Sequence, residues 1–176
     1  MKEENHKHLR RLDRVWIESP VYFVTVCTHQ RRRILSNEAV AGILIDEWRA
    51  AHQRHGWLVG RYMIMPDRVH FFCAAEEDTK MLSEFVRLWK QWTTKGVVAA
   101  VANRGPAQDE GETLPRLASA ATARLWQREF FDHVLRSTES YGEKWEYVRQ
   151  NPVRAGLVAC AEDWPFQGEI HSLEFL

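Results

Sequence analysis

An α+β fold, an antiparallel sheet covered by helices on one face, is what the order of patterns in this 176-residue sequence predicts. Four stretches carry the β-branched and aromatic residues of strands, and three carry helical periodicity. They follow one another as β-α-β-β-α-β-α, with a tight turn at Pro66-Asp67 between the second and third strands, a hairpin signal. A central hairpin between two helices of similar length is the ferredoxin-like arrangement.

Residues 1–14 are polar and include His6, Lys7, His8, Arg10, Arg11 and Arg14. They read as a basic flexible arm, solvated in the free protein and able to meet phosphates. The domain proper is expected over 15–158. Val21 to Thr28 (VYFVTVCT) reads as a buried strand, and Gln30 to Arg33 as a basic turn. Ser36 is placed to cap a helix that runs to about His55, with Val40, Ile43, Leu44, Trp48 and Ala51 on its apolar face and Gly56 at its end. Residues 57–65 and 69–75 form the hairpin strands. Thr79 is placed to cap a second helix, whose apolar side is Leu82, Phe85, Val86, Trp89 and Trp92. Residues 101–123 mix Gly, Pro, Ala and acids without periodicity and read as a flexible loop. A fourth strand follows at about Phe131 to Leu135. Thr138 is placed to cap a last helix, and 159–176 reads as a C-terminal tail with little pattern.

Lys+Arg and Asp+Glu number 24 each, so net charge does not point to a nucleic-acid partner. Cys27, Cys73 and Cys160 are far apart and unpaired by spacing, which fits reduced cytosolic thiols and argues against a thiolate zinc site. No apolar run approaches ~20 residues, and the N-terminus has no apolar core of the secretory kind. A cytoplasmic protein away from membranes is the expectation.

The last helix carries the most chemistry. Tyr141, Trp145 and Val148 recur at i, i+4 and i+7 as a packing stripe, and Asn151-Pro152 should end the helix. Tyr147 lies about 200° round from Trp145, between Lys144 and Asn151. A tyrosine held off the packing face can be a nucleophile; the plainer reading of these residues alone is a half-exposed surface side chain.

Four strings then line up in order: YFVTVCT, YMIMPDRVHFF, LWQREFFDHVLR, and EYVRQNPVRAGLV followed by DWPF. Together, over about residues 9–168, they resemble the REP-associated tyrosine transposases, single-tyrosine HUH transposases of insertion-sequence type. The resemblance implies a ferredoxin-like domain that binds single-stranded DNA at repeat hairpins. It also implies cleavage and strand transfer through a 5′-phosphotyrosine link, and pairing of two copies as a homodimer. Tyr147 matches the nucleophile. His70 and Asn151 match metal-ligand positions for Mg²⁺ or Mn²⁺. Such an ion would help a phenol, with its ordinary pKa near 10, lose its proton, and would neutralise charge on the phosphate.

One position departs from the pattern. The family motif is His-hydrophobic-His, as in MPNHVH, whereas here Met65-Pro66-Asp67-Arg68-Val69-His70 puts Arg68 where the first histidine belongs. A guanidinium has no lone pair for a metal. Three readings stay open: a relative that binds hairpin DNA without cleaving it; a site completed by Asp67, Gln150 or His133; or Arg68 contacting the scissile phosphate itself. Arg31, Arg32, Arg33, Arg149, Arg154 and His133 are further candidates for DNA contact, each also explicable as ordinary surface or edge-strand polarity.

Overall fold

The structure, a computed structural model, describes residues 20–76, 79, 81–103, 124–135 and 137–173. The basic arm 1–14 and loop residues 104–123 fall outside these.

The first three strands form where the sequence is richest in β-branched and aromatic side chains: β1 Val21–Cys27, β2 Trp57–Met65 and β3 Arg68–Ala75. They join β4 Phe131–Leu135 and β5 Gln167–Glu169 in one antiparallel sheet of order β4-β1-β3-β2-β5. Leaving out β5, this is the split β-α-β order expected of a ferredoxin-like chain.

Two helices follow β1 where one was expected: α1 Glu38–Arg49 and α2 Ala51–His55, divided at Ala50. The cap is Asn37, not Ser36. Asn37 Oδ1 accepts from Val40 N at 3.0 Å, while its amide donates to the Ile34 carbonyl at 3.0 Å. Gly56 does end α2, in the left-handed region at φ 69. A Cβ there would also collide with the Thr79 methyl. Gly56→Ala is therefore expected to cost about 1–2 kcal/mol, read from denaturant melts.

Helix α3, Leu82–Asn103, runs three residues into the stretch expected to be loop. Thr79 lies before it and does not cap it; its hydroxyl donates to the Glu76 carbonyl at 2.9 Å. Phe85, Val86 and Trp89 are buried as expected. Trp92 is not: it is exposed on the flank, beneath Arg54 and Lys95, and Thr93 takes its place in the interior.

The last helix, α4 Thr138–Arg149, is capped by Ser137, one residue earlier than expected, in a capping box with Ser140. The chain does not stop at Asn151-Pro152. Gln150 keeps helical angles and a second turn follows, α5 Asn151–Arg154, with Pro152 in its first turn, where no N–H is needed.

Two cores result. Tyr22, Val24 and Val26 of β1 pack with α1 and α3, which cover one face as expected. Val21 and Phe23 point the other way and pack with Tyr141 and Val148 of α4. The tyrosine helix thus lies on the face that the sequence reading left open. The segment 159–173 packs onto the domain. Its residues 167–169 pair with β2, Trp164 is buried, and the Trp164 indole donates to the Ile64 carbonyl at 2.9 Å.

Candidate nucleic-acid site

Strand pairing sets the site. On β3, Arg68, His70 and Phe72 alternate onto the α4 face, and on β1, Phe23 and Thr25 do the same. Register places Thr25 opposite His70, and Phe23 opposite both Phe72 and His133 of β4. His133 therefore shares this face, exposed on the edge strand.

His70 is 9% exposed and has both ring nitrogens engaged. Arg68 Nε donates to its Nε2 at 3.2 Å. The ring proton must then sit on Nδ1, which donates to Thr25 Oγ1 at 2.8 Å. Phe23 stacks on the imidazole at 5.7 Å, 11° from parallel. Burial, then the charges of Arg68, Arg31 and Lys144, push the His70 pKa down to about 3. The unfolded chain takes up this proton below about pH 6.5, and the fold does not until about 3. The stability held by neutral His70 is full above 6.5 and drains away between 6.5 and 3. His70→Gln should flatten that loss, seen as a shallower fall in the denaturant midpoint from pH 7 to 4; parallel slopes would refute it.

Asp67 ties Arg68 in place. Its Oδ1 accepts from Arg68 Nη1 at 3.0 Å, and its Oδ2 pairs with Arg31 Nε at 3.0 Å. The turn itself is anchored, since the Thr28 N–H and hydroxyl both donate to the Asp67 carbonyl. Gln30 and Arg31 both sit at φ 56, a strained conformation for two consecutive non-glycine residues, and Arg31 reaches Asp67 from there. Arg32 donates to the carbonyls of His29 and Arg124, so it braces the loop. Arg33 is exposed.

Tyr147 is 62% exposed, off the stripe where Tyr141 and Val148 are buried. Two cations flank its ring: Arg154 at 4.2 Å and Lys144 at 5.9 Å from the centroid. Lys144 also lies 5.1 Å from the Phe23 ring, and so links tyrosine and histidine. Arg154 donates to the Tyr147 carbonyl at 2.7 Å and to Asn151 Oδ1 at 2.6 Å. Arg149, in contrast, is paired with Glu146 and Glu162, and Gln150 donates to Glu146. Neither joins the group around the tyrosine. The sequence reading missed the roles of Lys144 and Phe23. Lys144 had a signal, three residues before Tyr147 on one helix; Phe23 had none without the strand register.

The donors expected for a metal do not fit one. The lone pair of His70 Nε2 accepts from a guanidinium, and Asn151 Oδ1 accepts from another. A divalent ion about 4 Å from a guanidinium meets ~8 kcal/mol of repulsion at an effective dielectric near 20. Among the described residues no group of three His, Cys, Asp or Glu could hold an ion. An open groove of about 910 Å³ lies between α3 and residues 124–130, lined by Arg87, Lys90, Trp126 and Arg128 among others. Helix α3 packs on the opposite sheet face, so the groove is separate from the tyrosine site.

The fold and site together define an α+β protein that presents an exposed tyrosine among cations, on the same sheet face as a buried histidine. No family model matches the chain. It is similar to a provisionally named REP-associated tyrosine transposase of Haemophilus influenzae, 23% identical over 83% of this chain and 77% of the relative. A REP-associated tyrosine transposase of Escherichia coli K12 is 40% identical over 42 residues, 24% of this chain and 26% of that one. Among solved structures, a REP-associated tyrosine transposase bound to a REP hairpin superposes with a TM-score of 0.62. That match has 18% identity and covers 95% of this chain and 96% of that one. A provisionally named transposase from Deinococcus radiodurans R1 matches at a TM-score of 0.52 and 18% identity, over 80% and 97%. The resemblance read from the sequence to the REP-associated tyrosine transposases is therefore borne out. None of the helices among the described residues is long and apolar enough to cross a membrane.

Proposed function

We propose that this chain is a transposase of the REP-associated tyrosine type, which binds hairpin-forming single-stranded DNA and cleaves it with Tyr147. The observation that carries this is the exposed Tyr147 ring between Lys144 and Arg154, on the sheet face that also holds His70. The Tyr147 oxygen, its proton given up to solvent, attacks a backbone phosphorus. The bond from phosphorus to the 3′ oxygen breaks, and that oxygen takes up a proton and leaves as a 3′-OH. The 5′ phosphate stays esterified to the tyrosine. Attack by a 3′-OH reverses the step and joins strands without a nucleotide cofactor. Lys144 and Arg154 offset charge near the reacting phosphate. Arg33 and His133 suit the flanking strand. A DNA substrate places the working protein in the cytoplasm.

A second reading, hairpin binding without cleavage, is favoured by the Arg68 contact on His70 Nε2. Hairpin oligonucleotides resolved on denaturing gels separate the two. A covalent adduct supports cleavage; tight binding without an adduct supports the second reading; neither adduct nor binding sinks both.

A further inference from the structure

We propose that the phosphodiester site beside Tyr147 uses the Arg68 guanidinium where a divalent metal ion would otherwise sit. This deepens the DNA reading and rests on it. The guanidinium is clamped from two sides, by His70 Nε2 at 3.2 Å and Asp67 Oδ1 at 3.0 Å. Asp67 is itself fixed by Arg31 and by Thr28. The Arg68 side chain still keeps 26% of its surface exposed. A guanidinium carries five N–H donors in a planar fork. His70 and Asp67 take two of them, and the remainder match a pair of phosphate oxygens.

The surroundings are set for an anion. Lys144 and Arg154 flank the tyrosine, Arg31 lies behind Asp67, and Asp67 is the carboxylate between two of these cations. His70 then serves as a positioning residue: its lone pair orients Arg68 and its Nδ1–H is held by Thr25. A guanidinium stays protonated at any working pH, so the site keeps its positive charge in a chelator.

Two measurements test this. Mn²⁺ alone is titrated by calorimetry into the full chain and into Arg68→His. The wild type should bind none and Arg68→His should gain binding, because the substitution frees the lone pair and adds a second imidazole. A wild type that binds Mn²⁺ as tightly as Arg68→His overturns the proposal, and so does an Arg68→His that binds none. Hairpin oligonucleotide binding is then compared in EDTA and in Mn²⁺. Wild-type affinity should agree within about twofold, and Arg68→Met should lose roughly tenfold, with Arg68→Lys intermediate. Thermal melts establish that each variant is folded, and Arg68→Lys carries the test if Arg68→Met is not. Hairpin binding that requires Mn²⁺ counts against the proposal. A protein that binds no hairpin in any condition refutes the DNA reading instead, and the Mn²⁺ titration still decides whether Arg68 excludes the ion.

Discussion

Tyr147→Phe is expected to abolish the covalent protein–DNA adduct while hairpin binding stays within about twofold. The substitution deletes the phenol oxygen, the proposed nucleophile, and little else. The ring is 62% exposed, and its flanking cations touch the ring face, which phenylalanine keeps. Stability should change by less than about 0.5 kcal/mol, as for other exposed positions. Tyr141 is the internal control on the same helix. It is 7% exposed, accepts from the Arg61 N–H at 3.4 Å, and burial raises its pKa. Tyr141→Phe should keep the adduct. Denaturing gels with labelled hairpin DNA read both variants. An adduct that survives in Tyr147→Phe and vanishes in Tyr141→Phe would move the chemistry to the wrong tyrosine for this account.

Trp89→Ala should be the most damaging core change, at about 3–5 kcal/mol. Trp89 is 1% exposed and stacks on Trp48 at 5.3 Å, 4° from parallel. It also meets Trp126 at 5.0 Å and Phe71 at 5.7 Å. One side chain thus joins α1, α3, the sheet and the segment leading to β4. For a domain of this length the loss corresponds to roughly 6–20 °C in melting temperature. Trp89→Phe should cost less than half as much. It keeps an aromatic face and removes an indole N–H that is buried without a partner. A Trp89→Ala protein that melts within about 2 °C of wild type would refute the assignment of this stack as the main core.

Both predictions use residues that the sequence placed correctly, for a shared reason. Helical periodicity is local, so the spacing of Tyr141, Trp145 and Val148 was enough to put Tyr147 on the outside. The hairpin was legible because Pro66-Asp67 constrains its own backbone. Two caps shift by one residue, because Ser36, Asn37, Ser137 and Thr138 are all competent acceptors, and Thr79 does not cap α3. Only the incoming chain direction chooses among them.

The sequence by itself determined the alternation of strands and helices, the hairpin, the exposed tyrosine and the presence of Arg68 two residues before His70. Only the tertiary structure decided that α4 covers the second sheet face, that β5 extends the sheet, and that Lys144 meets Phe23. The physical reason lies in the strands. Nearly continuous apolar runs such as VYFVTVC are buried on both sides, so they carry no alternation to say which helix covers which face. Cross-strand register, which brings Thr25 to His70, is fixed by long-range pairing and burial rather than by any neighbour in the chain.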